Sequence, residues 1–182
     1  MSYVKDIATS TQHTVGGATS YAIPVTAAPG SGNTIILHIC STNIQAATVT
    51  DTKGNTWVKA KGQAASVGVA QFYCQQDVGT LTATDTITVA FGSTLVSYIA
   101  AILQEHSGIL VPSPVDQTAG HNTTTASTTR DGGTTAATAQ ASEVVVASFG
   151  IAAVETSFTA GTGYSVGTNA YLPYSAGGIS VE

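Results

Sequence analysis

The sequence predicts an all-β protein, an antiparallel β-sandwich of jelly-roll type, and three observations carry that prediction. Charged residues make up only 8% of the 182 while hydrophobic ones reach 43%, so solubility has to come from hydroxyls, amides and backbone rather than from ions. Thr is the commonest polar residue, with thirty copies, and a composition led by Thr with Ala, Gly, Ser and Val favours pleated strands and their turns over helices. Apolar and polar residues alternate with period two over short runs, each closed by Gly, Pro, Asn or Asp.

Taken in order, the alternating runs place strands at residues 20–26, 34–41, 46–51, 56–64, 67–75, 85–90, 97–106, 123–129 and 143–150, with weaker ones near Phe158, Tyr171 and Ile179. So many short strands at such spacing read as a sandwich or jelly roll. Residues 1–19 are small and polar and read as an N-terminal arm or edge strand. "SYIAAILQEH" continues from a strand-like run and ends at Ser107-Gly108, which suits a central strand buried on both faces. "TTAATAQASE" is dominated by small polar residues and lacks the apolar stripe of a helix. Residues 120–141 read as an exposed Thr-rich hairpin turning at Arg130-Asp131-Gly132-Gly133, where glycines can take positive φ. With no internal repeat or linker, residues 1–182 are expected to form one domain, which on folding would bury roughly 70% of the surface of the unfolded chain.

In "VTDTKGNTWVKA" the pair Gly54-Asn55 has the backbone freedom that a short hairpin needs, and Asp51 can accept from the turn amides. Trp57, the only Trp, follows the turn directly. Its indole is expected to cap one end of the core while its N–H finds a carbonyl, and stacking on a sugar is the alternative. A calcium site would need several converging oxygens, and only Asp51 and Asn55 are evident.

The string "VTDTKGNTWVKA", then "VAQFYCQQDVGTLTATDTITVAF", "LQEHSGI" and "PSPVDQTAG" resembles the β-sandwich modules of phage virion and tail proteins and of bacterial secreted surface proteins. The resemblance runs over about residues 20–165 and rests on structural motifs, so it implies fold more than activity. It has His106 where those modules usually carry Tyr in a corner motif. Such modules also close with a further apolar strand beyond "GGISVE", so the resemblance implies a sheet edge open to completion by another subunit.

The net charge of −5 and the scattered Lys5, Lys53, Lys59, Lys61 and Arg130 give no basic stripe for nucleic acid. No apolar run is long enough to span a bilayer, and "MSYVKDIATS" lacks the pattern of a secretory signal. Cys40 and Cys74 lie in strand-like runs. A disulfide is geometrically open to them, but two buried thiols are the expected state. Metal-ligand spacing, nucleophile signatures and phosphate-cradling loops are absent from the sequence. Glu105 and His106, adjacent on a strand, point to opposite faces. Asp77, Asp85 and Glu105 read as solvated turn residues rather than a glycosidase pair. No cofactor, metal or catalytic residue is expected.

Tyr164, Tyr171 and Tyr174 cluster in a loop-rich stretch and, with Trp57, are the candidate interface or glycan contacts. The expectation is a non-enzymatic structural protein of a phage virion, released by lysis: a capsid decoration or tail-fibre module. Its partners would be other virion proteins and copies of itself. The alternative is an adhesin or carbohydrate-binding module at a bacterial surface, with a host-surface glycan as ligand.

Overall fold

The computed structural model describes residues 1–64, 67–122, 129, 131–151, 159–167, 169–171 and 178–181, the last two stretches as backbone only. The expected all-β sandwich is what forms. Among the described residues eleven strands follow one another as β1 (Ser2–Ala18), β2 (Ser20–Pro24), β3 (Thr34–Ser41), β4 (Thr48–Asp51), β5 (Trp57–Gln63), β6 (Gly68–Cys74), β7 (Thr86–Ala90), β8 (Val96–Ser107), β9 (Ser148–Ile151), β10 (Asn169–Tyr171) and β11 (Gly178–Val181), with one 3-10 turn at Ile44–Ala46.

Every ladder is antiparallel. A five-stranded sheet runs β1-β8-β3-β6-β5 and a three-stranded sheet runs β2-β7-β4. This interleaving is that of a jelly roll, except that β5 pairs with β6 rather than closing the second sheet beside β4. The main core lies between these two sheets. Ile35, Leu37 and Ile39 of β3, Phe72 of β6 and Leu103 of β8 meet Tyr21, Ile23, Val49, Ile87 and Val89 from the other side. Alternation with period two dictates this, since each of these strands sends every second side chain inward.

A third sheet, β10-β11-β9, packs on the opposite face of the five-stranded sheet, with β9 over β6 and β3, β11 over β3 and β8, and β10 over β8 and β1. It covers a second, smaller cluster of Cys40, Val67, Ala100 and Ile102. β3 and β8 are therefore buried on both faces, which is why neither shows clean polar alternation. Close approach of β9 needs Gly150: a Cβ there would sit 3.1 Å from Cys40 Sγ and 3.3 Å from Gly68 O. Gly150→Ala is expected to cost about 1–3 kcal/mol by overpacking, read as a lowered urea midpoint, and an unchanged midpoint would show that the layers have slack.

Several expectations meet their correction here. The "TKGN" turn joins β4 of one sheet to β5 of the other, so it is a corner between sheets and not a hairpin. Gly54 takes the left-handed conformation (φ 77°) and Asn55 does not. Of the two readings of residues 1–19, arm or edge strand, the edge strand is the one that forms: β1 lies at the outer edge of its sheet, paired along β8. Residues 131–141 and Thr129 carry no strand, while 123–128, Arg130 and the run near Phe158 lie outside the described residues. At β5, the outer edge of its sheet carries Lys59, Lys61 and a bulge between them, a combination that discourages pairing with a further strand.

Cys40 and Cys74 are free and buried. Cys40 stands opposite Val69 on β6, five residues from Cys74, so the two are roughly 17 Å apart along the strand and on opposite faces. That is beyond disulfide reach. Burial pushes both thiols up to about 12. Ellman's reagent at about pH 8 is expected to find no reactive thiol in the folded protein and both after denaturation; fast reaction of either without denaturant would contradict this burial.

Candidate functional site

The corner after β4 is built around one carboxylate. Asp51 Oδ1 accepts from the Lys53 N–H at 2.8 Å and the Asn55 N–H at 3.2 Å, and Oδ2 accepts from Asn55 Nδ2 at 3.0 Å and Trp57 Nε1 at 2.8 Å. The indole N–H thus goes to a carboxylate, not to the carbonyl expected, and the ring is half-buried against the main core. Asn55 then ties this corner to the loop after β6, since its Oδ1 accepts from the Val78 and Gly79 N–H groups, both at 2.9 Å, and its Nδ2 donates to Gly79 O. A buried amide (6% exposed) here takes the place of a strand partner.

Two further aspartates close the same end. Asp77 accepts from the Thr56 N–H and hydroxyl, which hold its carboxyl below the usual range. Asp85 accepts from the Thr52 hydroxyl at 2.6 Å and from the Thr82 N–H and hydroxyl, with Lys53 Nζ 3.4 Å away. These bonds, the Thr52 hydroxyl first, hold it at about 2 despite burial. Glu105, far from solvated, is 1% exposed at the opposite face to His106. Burial works against its charge, but the Asn33 amide at 2.5 Å, the Gly30 N–H at 2.7 Å and Lys5 at 3.6 Å outweigh it, so its carboxyl stays below the ordinary value. It latches the loop before β3 to β8.

Of the four aromatic candidates, Trp57 and Tyr171 lie on strands of different layers. Trp57 stands on the outer strand β5, facing the main core. Tyr171 is in β10, on the other side of the five-stranded sheet and over β8 and β1. Tyr164 is 49% exposed, and Tyr174 lies outside the described residues.

A polar chain that sequence reasoning did not assemble runs beneath the third sheet. Gln71 Nε2 donates to Ser148 Oγ at 2.7 Å and to Val146 O at 3.1 Å. Ser148 Oγ lies 2.8 Å from His38 Nδ1, His38 Nε2 lies 3.2 Å from Gln104 Oε1, and Gln104 Nε2 donates to Asp6 Oδ1 at 3.1 Å. The directions are consistent only if Ser148 donates to Nδ1 and His38 carries its proton on Nε2. His106 Nε2 approaches the same Gln104 oxygen at 3.4 Å, and Tyr3 meets the His106 ring edge-on. His38 is fully buried. Burial first, then the neighbouring His106, bring it down to about 3. The serine–imidazole contact has the atoms of a hydrolytic pair, yet a fully buried ring kept neutral in this way is a poor base near pH 7, and an amide, not a carboxylate, stands on its far nitrogen. The signal that could have revealed it is polar side chains set into strands too apolar to face water, His38 within "IILHIC" and Gln104 to His106 at the end of "AILQEH".

Fold and polar ties together define an antiparallel β-sandwich whose ionisable side chains largely serve its own joints. No family model, curated protein or solved structure matches the chain.

Proposed function

We propose that this chain is a structural protein of a phage particle's surface, a capsid decoration or tail-fibre module that docks onto other virion proteins or copies of itself. The observation that carries the reading is the outward face of the three-stranded sheet. There Ser20, Ala22 and Pro24 of β2, Thr86, Thr88 and Ala90 of β7, and Thr48 and Thr50 of β4 stand in register without a single charge. On a molecule of net charge −5, such a face meets another surface with little ionic desolvation cost. It spans roughly 250 Å² from strand spacing and rise, about a third of what one partner brings to a standard interface. It therefore serves as the centre of a larger contact. The resemblance to virion β-sandwich modules supplies the setting.

The test has two stages. Mass spectrometry of washed, gradient-purified particles should contain the chain. Recombinant protein should rebind particles stripped of it, and Thr50→Glu with Thr88→Glu should weaken rebinding by at least about tenfold while leaving Tm within a few degrees. Absence from particles, or undiminished binding by the double variant, refutes the proposal. Sugar-specific binding on a glycan array that is lost with Tyr164→Ala, the fold being intact, would replace it with the adhesin reading. Trp57 is the weaker platform for that role, because its N–H and one face are already engaged by Asp51 and the core.

A further inference from the structure

We propose that protonation of His38 undocks the β9–β11 layer from the five-stranded sheet while the two-sheet sandwich on the other side stays folded. The imidazole is at the seam: it sits on β3 facing the third layer, held by Ser148 of β9 on one nitrogen and by Gln104 of β8 on the other. A second proton has to go on Nδ1, where Ser148 now donates and where Gln71 Nε2, itself a donor, stands 3.4 Å away. Ser148 would have to turn its hydroxyl, and two N–H groups would face each other.

Nothing nearby among the described residues compensates the charge directly. On this face β1 brings Asp6, hydrogen-bonded to the Gln104 amide, Tyr3, whose ring abuts His106, and His13, opposite Tyr98 at the far end of β8. β8 brings His106 and Tyr98, β6 brings Tyr73, and β3 itself brings Cys40. In the third sheet β9 and β11 contain no ionisable residue and β10 contains only Tyr171. Glu143, five residues before β9, is paired with Asp116 instead. Among the described residues an imidazolium in this seam has no counter-ion in contact, and hydration is its cheapest relief.

Hydration is available on one side only. Lifting the third layer disturbs the small cluster around Cys40, Ala100 and Ile102, whereas the main core lies across the sheet and is untouched. Local opening of the weaker layer precedes global unfolding when it exposes less apolar surface. The sign follows from linkage. A histidine that must be neutral when docked contributes fully above its free value of 6.5, and its contribution is lost as pH falls from there toward about 3.

The experiment uses the full chain, titrated from about pH 7 to about pH 3, with two readouts. Hydrogen exchange, corrected for intrinsic rate, follows peptides covering β9 and β11, and emission of the single Trp57 follows the main core. Protection of β9 and β11 is expected to fall at least about tenfold before Trp57 emission changes. His38→Gln should abolish this step. Gln104→Glu, which places a carboxylate on the Nε2 proton, should move it down by about one pH unit. The proposal is overturned if both readouts move together, if the layer stays protected to the end of the titration, or if His38→Gln leaves the midpoint in place. Should His38→Gln not fold, an unmoved midpoint in Gln104→Glu overturns it equally.

Discussion

Replacing Leu37 by Ala is expected to lower stability by about 3–5 kcal/mol, a large part of the roughly 5–15 kcal/mol available to a domain. Leu37 is fully buried at the middle of β3, directly between Phe72 of β6 and Leu103 of β8, and it points into the main core. The loss combines the transfer free energy of the deleted atoms with the cavity they leave. Relaxation is what normally reduces the second part, and here it is blocked. β3 is hydrogen-bonded on both edges and covered by a layer on each face, so its backbone cannot shift inward without breaking a ladder or opening the seam at His38. Urea denaturation followed by Trp57 emission measures the change. Val58→Ala, on the outer strand and 39% exposed, should cost less than about 1 kcal/mol by the same mechanism. A Leu37→Ala loss as small as that would mean that the two sheets close over the gap.

That central strand was also the part most legible in the sequence. Residues 34–41 form a nearly unbroken apolar run bounded by turn residues, and β3 forms over just those residues. The flanking strands differ by one or two residues from their expected ends because a strand stops where its ladder partner stops, and the partner is distant in sequence. The corner at "TKGN" shows the limit most clearly. A Gly-Asn turn between two alternating runs is the same local signal for a hairpin and for a change of sheet. What separates them is that β4 pairs with β7 and β5 with β6, and no local pattern encodes that choice. The strand expected at 143–150 begins only at Ser148, because the Val146 carbonyl is taken by the Gln71 side chain rather than by a ladder. Glu105 and the His38 chain were hidden for a related reason: a buried polar side chain reads as a surface residue until its partners are known, and Asn33 for Glu105 and Gln104 for His38 come from more than sixty residues away.

Asp51→Ala is expected to be the most damaging change at any polar residue, at about 3–5 kcal/mol, since it removes one partner from a buried network and leaves the others unsatisfied. Four donors converge on this carboxylate. The exposed Lys53 amide can turn to water, but Asn55 and the indole cannot do so without leaving the core. Asn55 matters most, because its other contacts hold the loop at Val78 and Gly79, and that loop leads to Asp77 and Asp85. Losing Asp51 therefore loosens the chain where it crosses from one sheet to the other, with no ladder there to hold it. Asp51→Asn separates charge from geometry: one acceptor oxygen remains for the turn amides while the opposite position becomes a donor facing two donors, so about half the loss is expected. The measurement is a pair of urea curves with Trp57 emission as the probe, and the folded baseline of Asp51→Ala should itself shift to the red as the indole gains access to water. An Asp51→Ala protein with wild-type midpoint and emission would show that the corner is held by packing alone and that its carboxylate is dispensable.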